Sequence, residues 1–283
     1  MARASDVSVV IPAYNEEAAI GAVVERVRAR HEWKEVVVVD DGSQDQTAAR
    51  AEAAGARVIR HPYNKGNGAA VKSGIRAAQG DVILLMDADG QHDPEDIDAL
   101  IGPIGVYDMV IGARSSGDQT LVRALGNAVF QTLASWLTGR TIPDLTSGFR
   151  AARRALLMDI VHLLPNGFSY PTTSCLSFLK SGYNVLFVPV RAHRRIGTSK
   201  IKPLRDGTKF LLIILKVVTL YNPLKIFFPL SASAFVLGTV YGVWNVVVKH
   251  KIPMGAALLI QLAVVVFLFG LISEQIASTQ ERK

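Results

Sequence analysis

Two stretches near the C-terminus of this 283-residue chain constrain its fold most. Ile226–Val248 carries no charged residue, and neither does Ile252–Ser273, whose strongest polar interruption is Gln261. A helix needs roughly 18 or more apolar residues to cross a bilayer, and each stretch exceeds that. Lys249-His250-Lys251 between them is too short for a domain, so the pair predicts a helical hairpin. The alternative is a buried helical pair in a soluble protein, which two adjacent spans of this length disfavour. A hairpin returns the chain to its starting side. Lys200, Lys202, Arg205, Lys209, Lys216 and Lys225 precede it, and Arg282 and Lys283 follow, so the positive-inside rule predicts that the N-terminal part faces the cytoplasm. Lys249 and Lys251 in the loop count against this orientation. Phe210–Tyr221 is shorter and contains Lys216, which suits an interfacial helix leading into the membrane.

The overall composition, 49% hydrophobic and 19% charged, averages two different materials, because the apolar excess lies mostly after Phe210. The net charge of +7 is compatible with nucleic acid, an anionic membrane surface or anionic substrates. With Cys175 as the single cysteine, an intrachain disulfide and a cysteine-based zinc site are both excluded. Met1–Asp6 is short and polar and lacks the apolar stretch of a signal peptide.

The first half alternates short apolar runs with helical patterns. Val7–Ile11, Val36–Val39, Arg57–Arg60, Val82–Met86 and Met109–Ile111 read as strands, and Glu16–Arg30, Gln46–Ala54 and Ala69–Ala78 as helices. Near-continuous Val, Ile and Leu in the strands predicts burial on both faces, hence a mostly parallel, doubly wound α/β sheet. Thr120–Thr138 reads as an amphipathic, surface-lying helix, Asp144–Arg150 as a loop, Ala151–Leu163 and Thr172–Lys180 as helices, and Val185–Val190 as a further strand.

Ligands of such sheets sit beyond the carboxyl ends of the strands. Asp40-Asp41 and Asp87-Ala88-Asp89 both fall there. Alternation along an extended chain sends Asp87 and Asp89 to one side and Ala88 to the other. Two such carboxylates can hold Mg²⁺ or Mn²⁺ against a diphosphate, with Gln91 as a further oxygen ligand. The plainer reading is an acidic turn in which Asp93 caps a helix starting at Pro94, and that cap is the expected role of Asp93. Pro12-Ala13-Tyr14-Asn15-Glu16 follows the first strand and Val39-Asp40-Asp41-Gly42-Ser43 the second. An aromatic ring and carboxylates there suit a base and ribose hydroxyls, although Asn15 as a helix cap and Asp41-Gly42 as a turn remain alternatives.

Pro12–Glu16, Asp40–Ser43 and Asp87–Gln91, in that order and on those elements, resemble the GT-A family 2 glycosyltransferases. Asn64-Lys65-Gly66-Asn67-Gly68 and Asp89-Gly90-Gln91-His92-Asp93-Pro94 narrow the resemblance to the dolichyl-phosphate mannose synthase branch, the polyprenyl-phosphate glycosyltransferases. The resemblance covers roughly residues 6 to 205. It implies that Pro12, Tyr14, Glu16, Val38 and Asp40 line the nucleoside site. It places Asp87, Asp89 and Gln91 on the metal and Ala88 against the donor. Arg114 and Arg123 would face the acceptor phosphate, and Ser147-Gly148-Phe149-Arg150, preceded by Asp144, would lie beside it. Arg194 and Lys200, around Gly197-Thr198-Ser199-Lys200, match a loop that closes on donor phosphates.

The chemistry of these residues points the same way. Two phosphate-bearing substrates call for several cations; Arg suits bidentate phosphate recognition and Lys point-charge neutralisation. The Arg114/Arg123/Arg150 and Arg194/Lys200 groups could supply them, the alternative being charge directed at the membrane surface. His61, His92 and His193 are assigned structural or supporting roles, because a phosphate monoester with a second pKa around 6 is already largely ionised. Asp144 is the acidic candidate for orienting the acceptor, with local loop hydrogen bonding as its alternative. With Asp89, it completes the expected catalytic pair.

The expectation is therefore an inverting, metal-dependent transfer of one sugar from GDP-mannose or a UDP-glucose-like donor to a polyprenyl phosphate. A saccharide acceptor is the alternative, and a non-catalytic membrane scaffold a more distant one. The expected partners are the nucleotide sugar, the lipid phosphate and the membrane, with no nucleic acid. The expected layout is a catalytic domain over 1–205 with an interfacial helix near 118–138, a juxtamembrane helix over 206–224, a hairpin over 225–276 and a tail over 277–283. Gly238, Gly242, Gly255 and Ala256 are the expected contacts of a homo-oligomer.

Overall fold

The computed structural model describes residues 3–114, 131–132, 134–136, 138–167, 169–191, 223–251 and 253–280. The chain divides into two units, Met1–Ile201 and Lys202–Lys283.

The first unit is built on the apolar runs. β1 (Val7–Ala13), β2 (Glu35–Asp40), β3 (Arg57–Arg60), β4 (Val82–Leu85), β5 (Met109–Arg114), β6 (Arg150–Arg153) and β7 (Val185–Val190) form one sheet in the order β3-β2-β1-β4-β6-β5-β7. β3, β2, β1 and β4 run parallel, β6 lies antiparallel between β4 and β5, and β7 runs parallel to β5 at the edge. The edge position lets β7 carry Pro189, which has no N–H for a second neighbour.

Burial on both faces explains why β1 reads as continuously apolar. Val7, Val9 and Ile11 enter one hydrophobic cluster with Ile20, Val23, Val24 and Val27 of α1 (Ile20–Arg30). On the opposite face α3 (Asn67–Ala77) packs so closely that a Cβ on Gly74 would stand 2.2 Å from Val10 Cγ1. α2 (Thr47–Ala53) and α4 (Ile97–Ile101) complete the first face, with Ala51, Ile97 and Leu100 in the same cluster. Each fully buried Val, Leu or Ile contributes roughly 1.5–3 kcal/mol of transfer free energy.

Two elements depart from the pattern read along the chain. The expected helix at Ala151–Leu163 begins only at Arg154, as α5 (Arg154–Ile160), because Arg150–Arg153 is β6. An Ala-Ala pair has weak strand preference by itself; here Ala151 faces Leu84 and Val110, and Ala152 faces Ile83 and Met109. The first helix begins at Ile20 rather than near Glu16, since Asn15 takes a left-handed conformation at φ 51° and turns the chain beforehand. α6 (Tyr170–Lys180) matches the expected helix, two residues longer at its start. Of the expected helix at 120–138, residues 131, 132, 134–136 and 138 are helical; the rest, and all of Phe210–Tyr221, lie outside the described residues.

The second unit is the hairpin. α7 (Leu224–Lys249, 26 residues) and α8 (Met254–Gln280, 27 residues) are each about 40 Å long at 1.5 Å per residue, enough for a hydrocarbon core about 30 Å thick. Both are long and apolar enough to cross a membrane. Phe235, Leu237, Trp244, Leu258 and Phe269 stand exposed along them. The two helices pack through their small residues. A Cβ on Gly238 would lie 3.0 Å from both Leu259 Cβ and Ile260 Cγ1, one on Gly242 3.3 Å from Ala256 Cβ, and one on Gly270 2.7 Å from Phe227 Cβ. Gly255 faces Tyr241 in the same way. The residues expected to join separate chains are thus occupied within one hairpin, where small side chains permit close approach without a second molecule.

Candidate active site

Between β1 and β4 the strand order reverses: β2, β3 and three helices intervene in sequence, yet the two strands are neighbours. The crevice beyond such a reversal is where open α/β sheets bind ligands. β1 ends there at Ala13, β2 at Asp40, β4 at Leu85 and β5 at Arg114, while antiparallel β6 enters from it at Arg150.

The β1 and β2 loops are laced together. Asn15 N donates to Ser43 Oγ at 2.9 Å, and Asn15 Oδ1 accepts from Gln44 N at 2.9 Å, so Asn15 joins the two loops instead of capping a helix. Glu16 N donates to Thr47 Oγ1. Tyr14 and Glu16 are half-buried and Pro12 is buried. Asp40, 5% exposed, accepts from Ser43 N at 3.0 Å. Asp41 is more heavily committed: its carboxylate accepts from His61 Nδ1 at 2.6 Å, Lys65 N at 3.0 Å and Gly66 N at 2.8 Å, and His61 Nε2 continues to Ser73 Oγ at 2.8 Å. Asp41 therefore builds the 61–66 loop. Gly42 admits that loop, since a Cβ there would lie 2.5 Å from Tyr63 C.

The β4 loop is arranged differently. Ala88 turns into the hydrophobic cluster, as alternation requires. Asp87 is half-buried; its Oδ2 lies 3.2 Å from His92 Nε2, and its carboxylate lies against Gly148, where a Cβ would meet Oδ2 at 2.5 Å and Oδ1 at 2.7 Å. Burial alone would raise the Asp87 carboxyl, but the His92 contact and the nearby charges of Arg114 and Arg150 hold it below the ordinary carboxylate value. Asp89 is buried and accepts from Gln91 N at 3.1 Å. Asp93 accepts from Glu95 N and pairs with Arg26 at 2.9 Å, so it is the expected cap.

Arg114 reaches the same edge from β5. Its Nε donates to Asp144 Oδ2 at 2.8 Å, and its Nη2 to Asp144 Oδ1 at 3.2 Å and Thr146 Oγ1 at 2.8 Å, which leaves Nη1 without a protein partner among the described residues. Burial opposes the Arg114 charge, but the Asp144 pairing more than offsets it and raises its pKa; the same pairing outweighs burial at Asp144 and lowers its carboxyl. Asp144 also accepts from Thr146 N at 2.9 Å and Ser147 N at 3.1 Å. Its oxygens are spent on Arg114 and the turn, the local alternative considered for it.

Four residues expected at the ligand have buried side chains. Arg150 is 1% exposed and sits beneath the loop: Nε and Nη2 donate to Ser147 O, and Nη1 to Pro171 O at 2.7 Å and Ser174 Oγ at 2.8 Å. Burial lowers its guanidinium pKa, and its charge reaches Asp87 and Asp144 without facing an acceptor. Val38 is wholly buried in the hydrophobic cluster and offers no side-chain surface to a nucleoside. Ala88 likewise turns its side chain into that cluster. Ser147 is buried; its carbonyl serves Arg150, and its hydroxyl accepts from Phe149 N. Arg123, Arg194 and Lys200 lie outside the described residues.

The Glycosyl transferase family 2 model matches residues 8–161, more than half of the chain. The chain is a family 2 glycosyltransferase. A second model, the GtrB C-terminal hairpin, matches residues 222–279. This glycosyltransferase is 36% identical over 216 residues to a dolichyl-phosphate hexose transferase of Haloferax volcanii, covering 75% of this chain and 93% of the relative. It is 30% identical over 207 residues to an undecaprenyl-phosphate 4-deoxy-4-formamido-L-arabinose transferase of Pectobacterium carotovorum, covering 69% of this chain and 62% of the relative. Among solved structures, glucosyl-3-phosphoglycerate synthase of Mycobacterium tuberculosis in complex with Mn²⁺, UDP and glucosyl-3-phosphoglycerate superposes with a TM-score of 0.60 at 25% identity, over 76% of this chain and 78% of that one. The sheet and its flanking helices are the GT-A fold.

Among the described residues no group of three or more His, Cys, Asp or Glu side chains forms a metal cage. Mg²⁺ and Mn²⁺ sites shared with a ligand commonly use one or two carboxylates and complete their shell with water and phosphate oxygens. An ionised Asp87 next to Asp89 fits such an ion. Two residues without an individual expected role stand close to Asp87. Gly148 was visible as a glycine just ahead of Arg150, but its closeness to Asp87 depends on the β4–β6 pairing. Tyr170 precedes the expected helix at Thr172–Lys180 and drew no notice; its hydroxyl is buried without a partner among the described residues, and burial together with the Asp87 charge pushes its phenol up.

Proposed function

We propose that this glycosyltransferase moves one sugar, with inversion, from a nucleoside-diphosphate sugar to a polyprenyl phosphate at the cytoplasmic face of a membrane. The observation that carries the reading is the union, in one chain, of a half-buried, ionised Asp87 beside Asp89 at the switch point and a hairpin apolar enough to cross a bilayer. A lipid-borne acceptor suits a membrane anchor, and relatives that share most of this chain are named for dolichyl and undecaprenyl phosphates.

Tyr14, Glu16 and Asp40 would receive the nucleoside, Asp40 as a buried acceptor for base N–H or ribose hydroxyls. Asp87, Asp89 and Gln91 would hold Mg²⁺ or Mn²⁺, which when bound neutralises the departing diphosphate. Arg114, oriented by Asp144, would offer Nη1 to the acceptor phosphate. Arg123, Arg194 and Lys200 would add cations around the two phosphate groups. The acceptor oxygen forms its bond to the anomeric carbon as the bond from that carbon to the diphosphate breaks, and the nucleoside diphosphate leaves. A lipid phosphate is already ionised near neutral pH, so Asp144 is not required as a base.

The catalytic domain over 1–205, the surface helices and the hairpin over 225–276 form the working division of the chain in this proposal. The superposed solved structure, named for a phosphoglycerate product, supports a second reading: a soluble phosphorylated acceptor at the same cations. The test is a screen of radiolabelled GDP-mannose, UDP-glucose and other UDP-sugars against one polyprenyl phosphate, with Mg²⁺ or Mn²⁺. Label in the organic-extractable lipid supports the proposal. With phosphoglycerate offered alongside the lipid, label confined to a water-soluble product that requires the phosphoglycerate supports the second reading and overturns the first.

A further inference from the structure

His92 stands in an unexpected place for a ring with two polar nitrogens. It is 2% exposed, and its Nδ1 has no hydrogen-bond partner among the described residues. Its ring stacks on Phe149 with centroids 4.7 Å apart and planes 24° apart. A phenyl ring would keep that stack and would carry no stranded nitrogen. Something must offset the cost of burying Nδ1 unpaired. The interaction available is at the other nitrogen: Nε2, 3.2 Å from Asp87 Oδ2. A carboxylate oxygen accepts, so in this contact Nε2 is the donor.

We infer that His92 is a positioning residue for the metal clamp, fixing the rotamer of Asp87 so that one carboxylate oxygen is engaged and the other is presented to a divalent cation. The inference rests on the proposed role of Asp87 and Asp89 as metal ligands. The surroundings agree with it. Gly148 lets the carboxylate lie against the loop, and Phe149, the next residue, backs the His92 ring, so the β4 loop and the β6 loop clamp Asp87 from two sides. Partners that hydrogen-bond a ligating carboxylate typically change metal affinity or activity by about 10–100-fold when removed.

The test compares the full-length parent with His92→Phe, His92→Gln and Asp89→Ala. Mn²⁺ alone is titrated into each and the free ion is read by its paramagnetic resonance signal. Melting temperature and the Mn²⁺ concentration for half-maximal transfer are measured alongside. His92→Phe keeps the stack and is expected to weaken Mn²⁺ binding about 10-fold or more without lowering the melting temperature, with kcat largely recovered at saturating Mn²⁺. His92→Gln, whose amide nitrogen can reach Asp87, is expected to recover part of the affinity. Parent-like Mn²⁺ binding in His92→Phe overturns the positioning role and leaves the clamp standing. So does a loss of binding in His92→Phe and His92→Gln alike that tracks a fall in melting temperature, since that marks a structural residue. A parent that binds no more Mn²⁺ than Asp89→Ala removes the clamp itself, and this role with it.

Discussion

Two acidic loops sit at the same edge of one sheet and use their carboxylates in opposite ways. After β2, Asp41 serves His61 and two backbone N–H groups, and Asp45 accepts from Thr47 N at 3.0 Å and Glu17 N at 3.3 Å. These acids take the place of a capping strand or helix and hold the polypeptide together. After β4, Asp87 is gripped by one imidazole and lies in the field of two guanidiniums, with no backbone N–H holding it among the described residues. Both Asp41 oxygens are consumed by the loop it holds, whereas Asp87, held at Oδ2 by a side chain, keeps Oδ1 clear of donors among the described residues. Composition alone does not separate Asp-Asp-Gly from Asp-Ala-Asp-Gly. Hydrogen-bond accounting does.

The sharpest way to break this contrast is to exchange the consequences. Asp89→Ala is expected to reduce transfer on the order of 10³-fold, comparable to removing a principal electrostatic stabiliser of the transition state, and to leave the melting temperature near that of the parent. Full activity, or activity indifferent to chelation of divalent ions, would remove the β4 loop from the ligand class. Asp41→Ala should do the reverse. It strands the His61 imidazole and the Lys65 and Gly66 amides together, at about 3 kcal/mol or more of stability, read from denaturant unfolding in detergent. A stable Asp41→Ala chain with a specific loss of nucleotide affinity would instead move Asp41 across the divide.

The division was partly legible along the chain. β1, β2 and β4 announce themselves because strands buried on both faces leave near-continuous Val, Ile and Leu, and the hairpin announces itself by length without charge. β6 does not, because Ala151 and Ala152 acquire strand character only from Leu84 and Val110 on one side and Ile83 and Met109 on the other. Residue type misled at Arg150: an arginine beside a proposed phosphate site reads as a phosphate ligand until its burial beneath Ser147 and Pro171 is seen. The burial of Val38 and Ala88 depends on register, and Gly238 and Gly242 pack within the hairpin. Their four-residue spacing serves a partner helix in the same chain as well as one in another.

Gly148→Ala probes the contact between the two halves of the sheet. The added methyl would stand 2.5 Å from Asp87 Oδ2, so the carboxylate must move aside by roughly an ångström. A displacement of that size near reacting groups can cost about 10²-fold in rate. The loop precedes β6 and the change is one methyl, so the expected signature is lost turnover with a smaller change in melting. A parent-like rate would mean that Asp87 has freedom the His92 contact should not allow.

Asp144→Asn tests the smallest difference, whether an acid near the ligand edge belongs with the loop builders. In the folded chain Asp144 is held below its ordinary value by Arg114, against the opposing effect of burial. A depressed folded value means that the ionised pair contributes its full stability above the ordinary carboxylate range, and that this is lost as pH falls through the depressed value. Near neutral pH the variant should therefore be less stable by about 2 kcal/mol, the scale of a charged hydrogen bond. The gap between parent and variant should narrow as pH falls below about 4, where the carboxylate of the unfolded chain begins to protonate, and close once pH passes the depressed folded value. Denaturant midpoints at descending pH measure it. Because Arg114 would lose its anchor but keep its charge, the variant should raise KM for the acceptor more than it lowers kcat. A pH-independent gap, or a collapse of kcat with KM unchanged, would instead place Asp144 among the groups that act on the reacting atoms.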